Sequence, residues 1–111
     1  MRNSDIVRAC FEAYLARDSE TADRLLDHDL VFTSPQDDHI DKTAYFERCF
    51  PTAGRLVSQT LLHVSEADDT DVFVLYECKP KDGDTYRNTE VISIRDGRIV
   101  EIQVFFGGRV T

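Results

Sequence analysis

Apolar residues recur at helical spacing near the start of the chain and at every second position in its second half. Ile6, Val7 and Cys10 share one helical face, and charged residues occupy the opposite one. This pattern predicts an amphipathic helix of about three to four turns, which Asn3 or Ser4 can cap.

Two further helices are predicted in the first half of the chain. The second has Ser19 as its cap and stops near the segment Asp27-His28-Asp29. A short strand, "LVFTS", follows and stops before Pro35, which lacks the N–H that a paired central strand requires. Asp41 precedes "KTAYFERCF", which predicts a short third helix that ends at Pro51.

From residue 55 onward the apolar period changes to two. The segments "RLVSQTLLHVS", "DVFVLYECKP", "YRNTEVISIR" and "RIVEIQVFF" are predicted strands, and the connections "KDGD" and "DG" are typical of hairpins. A long antiparallel sheet needs a cover on one face. The sequence therefore predicts one α+β domain over residues 1–111, in which three N-terminal helices pack on a strongly curved, mixed, mostly antiparallel sheet, a cone-shaped α+β barrel.

Charge and composition narrow the possible partners. Thirteen basic against 21 acidic residues give a net charge of -8, which opposes binding to nucleic acid or to an anionic membrane. No segment approaches the apolar run of about 20 residues that spans a membrane, and the first residues lack the apolar run of a signal peptide. We therefore expect a soluble, cytoplasmic protein. Cys10, Cys49 and Cys78 form no Cys-x-x-Cys pair and are predicted to be reduced core residues.

Glu90 is the ionisable residue best placed for chemistry. Alternation puts Asn88, Glu90 and Ile92 on one face of their strand. If that face is the concave one, desolvation raises the pKa of the Glu90 carboxyl and suits it to proton transfer; if it is the outer one, Val91 is buried instead. His63 lies among apolar residues on another predicted strand, as a catalytic partner of Glu90 or as a half-exposed structural residue.

A hydrophobic pocket with polar handles is predicted on the concave side of the sheet. Its candidate catalytic residues are Glu90, His63 and Tyr14. Its candidate ligand-binding residues are Phe32, Ser34, Tyr45, Tyr76, Asn88 and Phe106.

The loop "FTSPQDDHIDKTAYF" presents potential metal ligands. Asp37, Asp38, His39 and Asp41 carry the required oxygen and nitrogen atoms. Turn formation and helix capping also account for each of them, and no second cluster completes a site. We expect neither a metal nor an organic cofactor.

With this order of elements, the chain resembles the nuclear transport factor 2-like superfamily, and within it the SnoaL-like and ketosteroid-isomerase-like branch. The resemblance rests on "VRACFEAYLARDSETADRLLDHDLVFTSP", "KTAYFERCF" and "EVISIRDGRIVEIQVFFG". It implies a cone-shaped fold but does not fix a reaction, because this fold hosts isomerases, cyclases, hydratases, epoxide hydrolases and non-catalytic binders.

The family's catalytic residues carry over only in part. In ketosteroid isomerases the general-base aspartate corresponds to Ser34 here, and a hydroxyl cannot replace it as a base. Their oxyanion-hole acid corresponds to Glu90. Their oxyanion tyrosine corresponds to Cys10, with Tyr14 one turn later. Steroid isomerisation is therefore not expected.

Two other branches match no better. The arginine and the second aspartate of limonene-epoxide-hydrolase-like enzymes correspond to Asn88 and Val104. The acid of SnoaL-type cyclases also corresponds to Val104, or to Gln103 after a slip of one residue, and neither transfers a proton. Asp37 or Asp38 is a candidate replacement for the missing base.

Two functions stay open at this point. The first is binding of a small lipophilic molecule, with proton transfer or water addition through Glu90 while His63 or Tyr14 polarises an oxygen. The second is a non-catalytic dimeric module with a residual pocket. A homodimer through the outer sheet face is predicted in both cases. The predicted apolar residues of that face are Val57, Leu61, Val91, Val100, Ile102 and Val104.

Overall fold

The computed structural model describes residues 1–110. Its elements are α1 (Asn3–Ala16), α2 (Ser19–Leu25), β1 (Leu26–Ser34), β2 (Asp37–Ile40), α3 (Lys42–Arg48), a 3₁₀ helix (Phe50–Arg55), β3 (Leu56–Glu66), β4 (Asp71–Pro80), β5 (Tyr86–Arg95) and β6 (Arg98–Arg109).

The six strands form one mixed sheet in the order β2-β1-β6-β5-β4-β3. Only β1 and β6 run parallel; all other neighbours in the described residues are antiparallel. The predicted α+β architecture of three helices on a mostly antiparallel sheet is confirmed. The sheet does not close, because β2 and β3 remain its two edges within residues 1–110.

Helix starts follow local hydrogen bonding. Asp41 caps α3 as predicted, since its carboxylate accepts the backbone N–H of Ala44 at 2.9 Å. The predicted caps of α1 and α2 are wrong, because the capping positions are Arg2 and Asp18, just before the predicted residues.

Strand β2 is the element that periodicity does not predict. The sequence predicts turns over Asp37–Ile40, yet this segment pairs with β1, with Phe32 opposite Ile40 and Ser34 opposite Asp37. Polar side chains do not prevent this, because the pairing depends on backbone groups. β1 also begins at Leu26, directly after α2, and is longer than the predicted "LVFTS".

The core lies between the helices and the concave face of the sheet. α1 contacts β3, β4 and β6, and α3 contacts β1. The largest fully buried side chains come from α1 and from the strands of the sheet: Val7, Leu26, Leu30, Val72, Val74, Cys78, Ile92 and Ile99. Further along the same concave face, β4 and β5 carry the polar residues Tyr76, Asn88 and Glu90.

The predicted outer face of the sheet is partly wrong. Ile102 and Val104 lie directly opposite Ile92 and Glu90 on β5. Residues that pair directly share a face of the sheet, so both point to the concave side, where they are buried. Leu61 is also directed inward, against the core.

Four of the apolar residues that face outward lie on the neighbouring strands β4, β5 and β6: Phe73, Leu75, Val91 and Phe105. Phe73 pairs with Val91, and Thr89 lies between Leu75 and Phe105 in the ladder. Phe73 is 46% and Phe105 53% exposed. We call these four residues the outer patch. Within the part of the chain that the structure describes, no helix has the length and apolar character needed to cross a bilayer.

Candidate functional site

A cavity of about 660 Å³ lies between the helices and the concave face of the sheet. Its aromatic wall comes from Phe11, Tyr14, Phe32 and Tyr45. Its floor is formed by β4, β5 and β6, including Tyr76, Asn88, Glu90 and Val104. Exposed residues at its edge, which we call the rim, are Gln36, Arg48, Arg55, Asp82, Gly83, Asp84, Phe106 and Gly108.

Glu90 points into this cavity. It alternates with the buried residues Asn88 and Ile92 along β5, as predicted from the strand period. Desolvation raises the pKa of its carboxyl from the ordinary value of 4.5 to about 7, and the hydrogen bond from Tyr76 partly offsets that rise. At neutral pH both protonation states of Glu90 are therefore populated.

Tyr76 is the direct partner of Glu90. Its hydroxyl donates to Glu90 Oε2 at 2.6 Å, and Asn88 Nδ2 donates to the Tyr76 oxygen at 3.4 Å. The ring of Phe11 packs edge-on against Tyr76, with 5.1 Å between the ring centroids. Burial and, after it, the nearby Glu90 carboxylate raise the pKa of Tyr76, so it acts as a neutral donor.

Tyr14 lines the cavity, but its hydroxyl hydrogen is engaged elsewhere. Thr52 Oγ1 donates to the Cys49 carbonyl at 2.6 Å, so the Tyr14 hydroxyl, also 2.6 Å from Thr52 Oγ1, must be the donor in that contact. Burial raises the pKa of Tyr14. In this arrangement Tyr14 has no hydrogen left to polarise a ligand oxygen.

Ser34 and Asp37 also line the cavity, near its edge. The Ser34 hydroxyl oxygen accepts the backbone N–H groups of Gln36 and Asp37, both at 3.1 Å. Asp37 Oδ1 lies 3.4 Å from Arg48 Nη1, and Cys49 Sγ donates to Asp37 Oδ2 at 3.8 Å. Both side chains are thus held by neighbours in the protein, and Asp37 is no free base.

His63 does not enter the cavity, so its predicted position beside Glu90 is wrong. Strict alternation would place it on the same face as Leu61, which pairs with Tyr76 on the concave side. The register shifts after Leu61, so His63 pairs with Leu75 and Val64 takes the inward position. His63 is exposed on the outer face.

The acidic residues between β1 and α3 have unrelated roles. Asp38 is exposed, away from the cavity, and its carboxylate lies 2.6 Å from the Nδ1 atom of His39. Asp41 caps α3. Within residues 1–110, no three His, Cys, Asp or Glu side chains are arranged to hold a metal ion.

Of the nine candidate site residues, all except His63 lie on the cavity. Their roles as catalytic or binding groups stay predictions. The candidate residues predicted from the sequence do not include Cys10, Gln59 and Cys78, which also line the cavity. The sequence links Cys10 to the site only through the resemblance, as the residue in place of the oxyanion tyrosine. The period of two on β4 could have indicated Cys78, which alternates with Tyr76. Gln59 could not be found this way, because its inward direction depends on pairing with Cys78.

The three thiols add little reactivity to the site. Within the described residues all are free; Cys10 and Cys78 are buried, and Cys49 is half-buried. Burial raises the pKa of Cys10 and of Cys49 to about 12. Protonated thiols are poor nucleophiles, so these side chains serve as small apolar wall groups.

Comparison with known proteins agrees with this fold. The model of the SnoaL-like domain family matches residues 7–102. The chain therefore belongs to the SnoaL-like domain family, within the nuclear transport factor 2-like superfamily, as the sequence resemblance implied. No curated protein matches the sequence.

Similar solved structures come from several bacteria. A protein from Kribbella flavida has a TM-score of 0.82 and 25% identity, over 92% of this chain and 84% of that one. An epoxide hydrolase from M. tuberculosis, described as LEH-like, has a TM-score of 0.74 and 20% identity, over 92% and 80%. A candidate polyketide cyclase from Xanthomonas campestris has a TM-score of 0.71 and 17% identity, over 93% and 88%. The latter two likenesses show the fold alone.

Proposed function

We propose that this SnoaL-like domain binds a small, uncharged lipophilic or carbonyl compound in the cavity and exchanges a proton with it through Glu90. The observation that carries the proposal is the position of the Glu90 carboxyl, on the cavity floor with Tyr76 as its hydrogen-bond donor. Family membership supports a small-molecule role, and a similar fold occurs in a candidate polyketide cyclase.

The charges around the cavity support an uncharged ligand. The basic residues among its described lining are Arg48 and Arg55, both exposed at the rim, and Arg48 is paired with Asp37. The floor therefore offers a carboxyl group and no cation. An anionic ligand would meet the charge of Glu90 in a poorly solvated space, which is costly.

The Glu90 carboxyl on the cavity floor is suited to general acid and general base catalysis at neutral pH. Ionised Glu90 would take a proton from the carbon next to a carbonyl, or from a water molecule that adds to the ligand, and would then return it as the acid. A carboxyl with a pKa near the working pH is suited to both steps. The aromatic wall would hold the ligand and exclude water.

Deuterium exchange tests this proposal across a panel of carbonyl compounds. Each compound is incubated with the protein in D₂O at neutral pD, and loss of the proton next to the carbonyl is followed by NMR. We expect exchange of at least one compound that disappears in Glu90→Gln and persists in the outward-facing control Glu101→Gln. Exchange at equal rates in both variants would contradict the assignment to Glu90.

Ligand binding is tested separately by thermal stability. A ligand at 100 times its dissociation constant stabilises a protein by about 2.7 kcal/mol. We expect such a shift for the compounds that exchange. Absence of any shift across lipophilic and carbonyl compounds would favour the second candidate function.

The second candidate is a non-catalytic homodimeric module, and the outer patch favours it. Phe73 and Phe105 are about half exposed on an uncovered sheet face. Large apolar side chains grouped in this way are typical of interaction surfaces. A homodimer through this face is compatible with both functions, and Glu90→Gln separates them because a scaffold tolerates it.

A further inference from the structure

We infer that Asn88 is a positioning residue for Glu90: its amide, oriented by the Gly107 backbone N–H, turns the Tyr76 hydroxyl toward Glu90 Oε2 and leaves Oε1 as the proton-exchanging oxygen. The role of Oε1 rests on the proposed function. The direction of the hydrogen bonds does not, and it is tested without a ligand.

The series of hydrogen bonds begins at an irregularity between β5 and β6. Asn88 pairs with Phe106 and Arg87 pairs with Gly108, so Gly107 is an extra residue on β6. A Cβ atom on Gly107 would lie 2.5 Å from the Arg87 carbonyl oxygen, so only glycine allows this approach of the two strands. The bulge turns the Gly107 N–H to Asn88 Oδ1, at 3.3 Å.

Each hydrogen bond in the series from Gly107 to Glu90 has a fixed donor and a fixed acceptor. A backbone N–H only donates, so the atom of Asn88 that faces it must be the amide oxygen. The Asn88 NH₂ group, which also only donates, then faces the Tyr76 oxygen at 3.4 Å. Tyr76 accepts there, and its own hydrogen goes to Glu90 Oε2 at 2.6 Å.

The two oxygens of Glu90 consequently differ. Oε2 receives the Tyr76 hydrogen, whereas Oε1 has no hydrogen-bond partner within residues 1–110 and is not sealed from the cavity. A hydrogen bond to the charged form of a carboxyl favours that form. An Asn88 donor that polarises Tyr76 strengthens this bond and holds down the pKa of Glu90.

No other group that titrates near neutral pH faces Glu90 in the described residues. The titratable groups that interact with Glu90 are all phenols or thiols whose pKa is raised. They lie on α1, on β4, on α3 and directly after α3: Cys10, Tyr14, Tyr45, Cys49, Tyr76 and Cys78. A titration near pH 7 on the cavity floor therefore reports Glu90.

NMR titration of the unmodified, ligand-free protein is the first test. The side-chain amide signals of Asn88 should change with the same midpoint as the Glu90 carboxyl carbon, because ionisation of Glu90 strengthens the whole series of hydrogen bonds. The side-chain amide of Asn3, which donates to the Asp69 carbonyl, is the control and should not follow that midpoint. Asn88 signals that stay constant through the Glu90 midpoint would overturn the inference.

A double-mutant cycle gives the second test. Asn88→Leu should raise the pKa of Glu90 by roughly 0.1 to 0.7 pH unit, a fraction of the effect of the charge-assisted bond itself. In a Tyr76→Phe background, the same change should have no further effect. An equal shift in both backgrounds would mean that Asn88 acts through burial, and would overturn the inference even if the deuterium-exchange proposal holds.

Discussion

The Tyr76 hydroxyl donates to Glu90 Oε2 at 2.6 Å from the adjacent strand. The two residues are diagonal neighbours on the concave face, because Tyr76 pairs with Asn88 and Val74 pairs with Glu90. Desolvation makes the Glu90 carboxylate costly, and this single neutral donor only partly compensates. The site therefore keeps a carboxyl whose proton is easily gained or lost at neutral pH.

The raised pKa of Glu90 makes stability depend on pH. Between pH 4.5 and about 7 the folded state holds a proton that the unfolded state has released, so stability falls as pH rises through this range. The loss amounts to at most about 3 kcal/mol. We expect Glu90→Gln to be more stable than the unmodified protein at about pH 8 and to lose this advantage at acidic pH, where the Glu90 carboxyl is protonated in both states.

Urea unfolding at several pH values measures this difference. Glu101→Gln serves as the control, since that side chain faces outward and should show no such trend. A difference between Glu90→Gln and the unmodified protein that is independent of pH would contradict a desolvated carboxyl at this position.

The stability of the folded protein should depend on Leu30, a core residue that is 1% exposed. Leu30→Ala removes buried methyl groups and leaves a cavity, so we expect a loss of about 2–5 kcal/mol in the free energy of unfolding. Val57→Ala, at a position that is 58% exposed, should change it by less than about 0.5 kcal/mol. Comparable losses in the two variants would mean that β1 does not pack as described.

We expect the outer patch to form the homodimer interface. Phe73→Glu combined with Phe105→Glu places two charges on the proposed homodimer face and should convert a dimer into a monomer in analytical ultracentrifugation. Lys79→Glu, on the same face of β4 but outside the outer patch, is the matched control. An unmodified protein that is monomeric at high concentration would refute the homodimer proposal.

The thiols should be unreactive in the folded protein. Because burial raises the pKa of Cys10 and Cys49 to about 12, and Cys78 is buried, we expect little alkylation by iodoacetamide at mildly alkaline pH within minutes. The protein unfolded in denaturant should react at all three. Rapid modification of Cys49 in the folded state would show a free thiolate at the cavity edge.

The strand period predicts much of the fold and places Asn88, Glu90 and Ile92 on one face of β5, which alternates without interruption over these residues. It leaves open whether that face is the concave one, because this depends on how the sheet packs against the helices. The same reasoning fails for His63, because one extra residue on β3 inverts the faces of the strand. A bulge depends on pairing with the next strand, so the pattern of a single strand does not reveal it.

Pairing between distant segments also explains the other differences. Strand β2 is polar and is recognised only through its backbone bonds to β1. The inward direction of Val104 follows from its position opposite Glu90, which requires the register of the β5–β6 hairpin. The Asn88 contact with Gly107 arises from the bulge between β5 and β6. A glycine within a strand is compatible with a bulge, but it does not reveal which residues of the next strand it faces.

The most direct test is the titration of the Glu90 side chain by carbon-detected NMR, assigned by comparison with Glu90→Gln. We predict a midpoint near pH 7, and a higher midpoint in Tyr76→Phe because the lowering effect of the hydrogen bond is lost. A midpoint near the ordinary 4.5 would mean that Glu90 is solvated, and would contradict its role as the proton-exchanging group of the cavity.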